Sequence, residues 1–366
     1  MSLNINSYIL GGRLMKKRLL SLLAVSAITV TLFAGCGSSG SGTSTADKGS
    51  SNAKEYQVAM VTDTGGVNDQ SFNQSSWEGL QNFEKNNKGA KVSYLESKQE
   101  SDYATNLDKV VDSGNKLVWG IGFAMSDAIL KAAKSNPDVN YAIVDNSYGD
   151  DTPANVTGVM FNAQEPSFIV GYIAAKTTKT GKVGFVGGIK SGIIDQFQYG
   201  YQAGVQYAAK ELGKDITVDV QYAESFSDAS KGKAIANKMF SSGCDIVFHA
   251  AGGVGVGVIE AAKEANKFAI GVDRDQAYLA PDNVLTSALK LANVAVENLS
   301  KEAMSGNKIG GKTYTYGLKE NAVGIPTENK NMDPEVYKAA MAVQDKIKKG
   351  EIVPPYNEDT FKSFGK

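Results

Sequence analysis

From Glu55 onward the chain alternates short apolar runs with longer polar stretches in which apolar residues recur every three or four positions. The runs YQVAMVTD, AKVSYLES, LVWGIG, VNYAIVDN and NVTGVMFN are rich in β-branched and aromatic residues and bounded by Gly, Asn and Asp, which predicts strands. Between them SFNQSSWEGLQNFEKN, DYATNLDKVVDSG and SDAILKAAKSN carry helical spacing. A second series follows: the helix EPSFIVGYIAAKTT, then KVGFVGG, the helix FQYGYQAGVQYAAKEL, ITVDVQYAES, the helix DASKGKAIANKMFSSG, DIVFHAAGG, the helix VGVIEAAKEAN and FAIGVDRD. Repeated βα units form parallel sheets flanked by helices. The halves share a pattern without repeating sequence. The span Asn52 to Lys366 also exceeds what one hydrophobic core supports, so two α/β lobes with a cleft between them are expected.

Upstream, Lys16, Lys17 and Arg18 precede an apolar run from Leu19 to Phe33 that ends in Ala34-Gly35-Cys36. That layout predicts a secretory signal over residues 1–35, with residues 1–14 upstream of a true start at Met15. The run is too short for an ordinary spanning helix, and a cysteine stands at the cleavage position. Lipidation of Cys36, by chains such as palmitate, therefore outweighs a retained single-span anchor. Residues 36–53, rich in Gly, Ser and Thr, form a flexible tether. The expected location is the extracytoplasmic face of the cell membrane.

Charge narrows the partners. Thirty-eight Lys and Arg offset 39 Asp and Glu, interspersed and without a basic stripe, so no nucleic-acid partner is expected. The single histidine, His249, lies inside an apolar run, which leaves a Ser-His-Asp triad or a multi-imidazole metal site hard to assemble. No Walker sequence is present, and Gly252, Gly253, Gly255 and Gly257 miss the dinucleotide-loop spacing. Neither a metal nor a cofactor is expected, and the chain is not expected to be an enzyme. A glycosidase-like carboxylate pair is the surviving catalytic alternative, since its spacing is spatial. With Cys36 assigned to lipid, Cys244 is expected to be a small core residue.

In doubly wound sheets ligands sit beyond the carboxyl ends of the strands, where loops converge. Those ends read Asp63-Thr64-Gly65-Gly66, Gly120-Ile121-Gly122-Phe123, Asp145-Asn146, Gly187-Gly188, Glu224-Ser225-Phe226, Ala251-Gly252-Gly253 and Asp273-Arg274-Asp275. Carboxylates there would accept hydrogen bonds from ligand N–H or O–H groups, while glycines permit close backbone approach. The alternative is that Gly and Asp merely end strands and cap helices. Asn68 to Gln74 opens a helix and places Phe72 and Asn73 in its first turn, a poor position for a core aromatic.

The stretch Val61 to Gln74 with Trp77-Glu78-Gly79 resembles the opening of the basic membrane protein family of substrate-binding lipoproteins, which includes purine nucleoside receptors. The resemblance extends to Gly184-Phe185-Val186-Gly187-Gly188, Phe226-Ser227-Asp228, Lys231-Gly232-Lys233-Ala234, Ala251-Gly252-Gly253, Ile270 to Gln276, Val284 to Ser287 and Val323 to Pro326. It implies a type I periplasmic-binding fold, two lobes joined by three crossovers. The N-terminal lobe would hold 54–162 and 290–313, the C-terminal lobe 163–289 and 314–350, and 351–366 would form a tail. It also implies a monomer that closes on a nucleoside for an ABC transporter permease. In that pattern Phe72 stacks on the base and Asp145 hydrogen-bonds it, while Asp63, Asn73, Asp273 and Lys290 hold the ribose or base edge beside the Gly252 backbone. Phe197 and Phe226 are both candidates for a second aromatic face. A binding protein for another small solute, such as a sugar, and a ligand sensor of the same fold are the alternatives.

Overall fold

The computed structural model describes residues 55–365. The expected signal, Cys36 and the tether lie outside the described residues. The strands are β1 Tyr56–Thr62, β2 Ala90–Leu95, β3 Leu117–Ile121, β4 Asn140–Val144, β5 Val156–Phe161, β6 Lys182–Gly187, β7 Thr217–Tyr222, β8 Ile246–Ala250, β9 Phe268–Asp273, β10 Val284–Lys290, β11 Lys312–Tyr316 and β12 Val323–Gly324. The helices are α1 Phe72–Asn86, α2 Asp102–Asp112, α3 Ser126–Ser135, α4 Gln164–Thr177, α5 Gly192–Leu212, α6 Ala229–Ser241, α7 Val254–Glu264, α8 Ala292–Met304, α9 Pro334–Lys349 and α10 Glu358–Ser363.

Two six-stranded sheets result, in the orders β11-β5-β4-β3-β1-β2 and β12-β10-β9-β8-β6-β7. Every pairing is parallel except that of β12 with β10. Central strands such as LVWGI of β3 and IVFHA of β8 are buried throughout, as expected where helices cover both faces. The outer strands β2 and β7 carry exposed polar positions instead. The chain leaves the first sheet after β5, returns after β10 through α8 to add β11, and leaves again for β12. These are three crossovers between two α/β lobes. β11 pairs with β5 through Tyr316, so the final passage comes after that residue and not at 313.

Register fixes where the functional loops emerge. Thr62 lies opposite Ile121, and Ile121 opposite Val144, so the residues that follow them, Asp63, Gly122 and Asp145, leave the first sheet side by side. In the second sheet Leu289 faces Asp273 and Gly187 faces Ala250, which brings Lys290, Asp273, Gly188 and Ala251 to one edge.

Helix α4 is buried from Pro166 to Ala175, and it packs along α5 at backbone distance. A Cβ on Gly204 would lie 2.0 Å from the Phe168 carbonyl oxygen, and one on Gly171 would lie 2.2 Å from that of Tyr201. Glycine is therefore required by the closeness of the two helices, not by a turn. Cys244 is buried with a free thiol in a small cluster with Val186, Met239 and Val247. Gly204→Ala is expected to lower stability by about 1–3 kcal/mol, because the obstructing atom is main chain and neither helix moves without its neighbours. Chemical denaturation of residues 52–366 measures this; an unchanged midpoint would contradict the close packing.

Candidate functional site

The loop after β1 and the start of α1 are organised by Asp69. Its Oδ1 accepts from the Ser71 and Gln74 N–H groups at 2.9 and 3.1 Å, and its Oδ2 from the Asn73 N–H at 2.8 Å. The carboxylate thereby caps the unpaired donors at the mouth of α1. Asn73 Nδ2 then donates to Asp63 Oδ1 at 2.8 Å and to Asp69 Oδ2 at 3.1 Å. Two carboxylates fix the amide orientation, so Asn73 Oδ1 is left as a buried acceptor without a partner.

Across the gap, Lys290 at the end of β10 is 2 % exposed and places Nζ 2.5 Å from Asp145 Oδ2. The ammonium also stands 4.4 Å from the Phe72 ring centroid, 5.5 Å from that of Phe161 and 5.7 Å from that of Phe197. Ring faces attract a desolvated cation, and here three of them surround it. Asp145 Oδ1, like Asn73 Oδ1, is a buried acceptor with no partner. Asp273 Oδ2 accepts a hydrogen bond from the Ser71 hydroxyl.

Most of these groups line one cavity between the carboxyl ends of the two sheets. All nine expected ligand-binding residues, Asp63, Phe72, Asn73, Asp145, Phe197, Phe226, Gly252, Asp273 and Lys290, lie on its wall. Gly252 adopts φ 56°, and a Cβ there would come within 3.0 Å of the Phe226 carbonyl oxygen. Both aromatic candidates of the second lobe are present: Phe197 beside Lys290, and Phe226 edge-on to Phe123 of the first lobe at 6.4 Å between centroids. Phe123, which stands at one of the strand ends named from sequence, also lines the wall, as do Asp69, Ile193 and Ile194, which were not singled out. Asp69 stands three positions before the first helical residue, an available capping signal; the isoleucines carry none.

The wall holds four aspartates and one lysine, an excess of negative charge. Burial pushes Asp63 up to about 6, against the lowering effect of the Asn73 and Gly65 hydrogen bonds. Burial likewise raises Asp273 to about 6, against the lowering effects of the Lys290 charge and the Ser71 hydroxyl. Asp145 and Asp273 also hold left-handed backbone, at φ 66° and 64°, a conformation that costs a non-glycine residue free energy and is concentrated at functional sites. His249 is fully buried in β8, away from this wall. Among the described residues there is no cluster of His, Cys, Asp or Glu able to hold a metal ion.

A two-lobed α/β protein with a ring-lined, acceptor-rich cleft has the architecture of a solute-binding protein, and one such solved structure is similar over most of its length. A solute-binding protein of an ABC transporter system from Aeropyrum pernix superimposes with a TM-score of 0.76 at 27% identity, covering 84% of this chain and 96% of its own. Residues 56–358 match the Bmp family, described as ABC transporter substrate-binding protein PnrA-like, and the chain belongs to that family. The Lactococcus lactis protein named ABC transporter nucleoside-binding protein BmpA is 42% identical over 362 residues, 93% of this chain and 99% of its own. Basic membrane protein A of Borreliella burgdorferi is also 42% identical, over 87% of this chain and 93% of its own. The chain is thus an ABC transporter substrate-binding protein. Among the described residues no helix is long and apolar enough to cross a membrane.

The raised aspartates make stability depend on pH in a defined direction. A carboxyl with a higher pKa folded than unfolded binds more protons in the folded state, so stability falls as pH rises from about 4 through 6 and returns on acidification. Ligand-free protein is expected to melt at a higher temperature at pH 5 than at pH 7.5. Asp273→Asn should raise the pH 7.5 midpoint and flatten the profile. A midpoint for that variant no higher than wild type at pH 7.5 would show that the charge is compensated.

Proposed function

We propose that the protein captures a purine nucleoside in this cleft and presents it to an ABC transporter permease for uptake, as a monomer held at the extracytoplasmic face of the membrane through lipid on Cys36. The observation that carries the proposal is the pairing of aromatic rings with buried acceptors that have no partner, Asp145 Oδ1 and Asn73 Oδ1. A purine has two apolar faces and an edge bearing N–H donors, and its ribose adds hydroxyl donors, so each element of the wall finds a counterpart. In this arrangement Phe72 takes one face of the base, with Phe197 or Phe226 on the other. Asp145 accepts from the base edge. Asp63, Asn73 and Asp273 receive the ribose hydroxyls, while Lys290 donates to an acceptor of the ligand and the Gly252 backbone lies alongside.

The name of the Lactococcus relative supports a nucleoside as ligand. Closure is then a population shift: contacts available only when both lobes meet the ligand favour the closed form, which the permease recognises. Recognition needs no bond to be made or broken, and the ligand is returned unchanged.

Calorimetry on residues 52–366, unfolded and refolded to strip bound solute, tests this against purine and pyrimidine nucleosides, free bases, ribose and glucose. Purine nucleosides are expected to bind at micromolar or tighter affinity, free bases weakly and sugars not at all. Asp145→Asn should weaken nucleoside binding at least about tenfold, since a hydrogen bond to a charged acceptor contributes about 1.5–3 kcal/mol. Binding of glucose or ribose alone would replace this proposal with a sugar-binding one.

A further inference from the structure

The segment after β9 reaches across the cleft, and its central member is Gln276, which is fully buried. The Gln276 Oε1 lies 2.9 Å from the Val272 main-chain nitrogen and 2.9 Å from His249 Nε2. A main-chain N–H only donates, so the atom facing it is the amide oxygen. The same oxygen requires His249 to carry its proton on Nε2. Burial lowers the His249 pKa to about 4, so the ring is neutral at physiological pH, and its Nδ1 is a buried acceptor without a partner. With its oxygen committed inside the second lobe, Gln276 presents only its NH2 to the first, where Nε2 donates to the Gln70 carbonyl at 3.0 Å. The Gln276 main-chain N–H is itself fixed on Ser287 Oγ at 3.1 Å.

Gln70 is the left-handed residue, φ 57°, between the helix-capping Asp69 and Ser71. Its side chain is held as well, since the Tyr278 hydroxyl donates to Gln70 Oε1 at 2.6 Å. Arg274 Nη2 reaches Glu78 Oε1 of α1 at 3.0 Å from the same segment. None of Gln70, Gln276 and Tyr278 lines the cavity.

We propose that Gln276, with Tyr278, is an interlobe latch: its amide, oriented from inside the second lobe by Val272 and His249, fastens Gln70 of the first lobe and sets how long the closed protein holds its ligand. Gln276 and Tyr278 are positioning residues, acting on the lobes and not on the solute. The inference rests on closure around a solute but not on the nucleoside assignment.

Gln276→Glu is the discriminating variant, because it keeps an acceptor for Val272 and His249, replaces the latching NH2 with an oxygen that faces the Gln70 carbonyl, and adds a negative charge that the carbonyl repels. Stopped-flow release of guanosine and inosine from residues 52–366 is expected to be at least about fivefold faster than in wild type, with association changed less than release. Release accelerated by less than fivefold overturns the latch. Because the chain has one histidine, the imidazole nitrogen resonances give a single readout of the orienting group. A neutral Nε2–H ring in wild type is expected, and an Nδ1–H ring in wild type overturns the proposal. Should Gln276→Glu not fold, Gln70→Ala combined with Tyr278→Phe removes the exposed arm, and unchanged release then counts against the latch. If neither nucleoside binds wild type, the ligand assignment fails separately. Small-angle scattering of unliganded wild type and Gln276→Glu then decides the latch, a larger radius of gyration for the variant supporting it and equal radii overturning it.

Discussion

The buried ion pair of Lys290 and Asp145 joins the end of a second-sheet strand to the end of a first-sheet strand, and the cleft is organised around it. Two charges withdrawn from water cost more than their attraction returns unless other groups contribute. Here the rings of Phe72, Phe161 and Phe197 surround the ammonium, while Asp273 adds a second nearby negative charge. One cation therefore serves several acidic strand ends at once. Removing it would leave Asp145 buried without compensation and strip the aromatic cluster of its central charge.

The site is consequently a place where the molecule is less stable than it could be. Three of its aspartates, Asp63, Asp69 and Asp273, are protonated more readily than ordinary carboxylates, and two sit in left-handed backbone. A stability-optimised core would use neither device. A ligand that donates hydrogen bonds relieves both the charge excess and the acceptors without partners, so the unfavourable features of the free site become favourable ones in the complex.

The alternation of apolar runs with helical stretches made the strands from β1 to β9 legible, most clearly the central ones, because parallel strands buried on both faces have few polar positions to blur the pattern. The strand-end rule then pointed to Asp63, Asp145, Gly252 and Asp273, and the helix opening to Phe72 and Asn73. Beyond Asp275 the alternation stops being informative: β10, α8, β11 and β12 weave between the lobes, and their partners are set by crossovers that leave no periodic mark. Lys290 was reached only through family resemblance for that reason. The contact of Phe123 with Phe226 and the interlobe contacts of Gln276 were not legible at all, since both join residues more than a hundred positions apart.

The position of β11 bears on how such a chain is made. It completes the first sheet beside β5, yet it is encoded after the whole of β6 to β10. As the polypeptide lengthens from its N-terminus, the first sheet has an open edge at β5 until nearly the entire sequence has been produced. An unpaired parallel edge invites pairing with other chains. Each lobe thus waits for the other, and neither is a unit that matures alone. An edge that cannot close until the end delays the commitment to a native state.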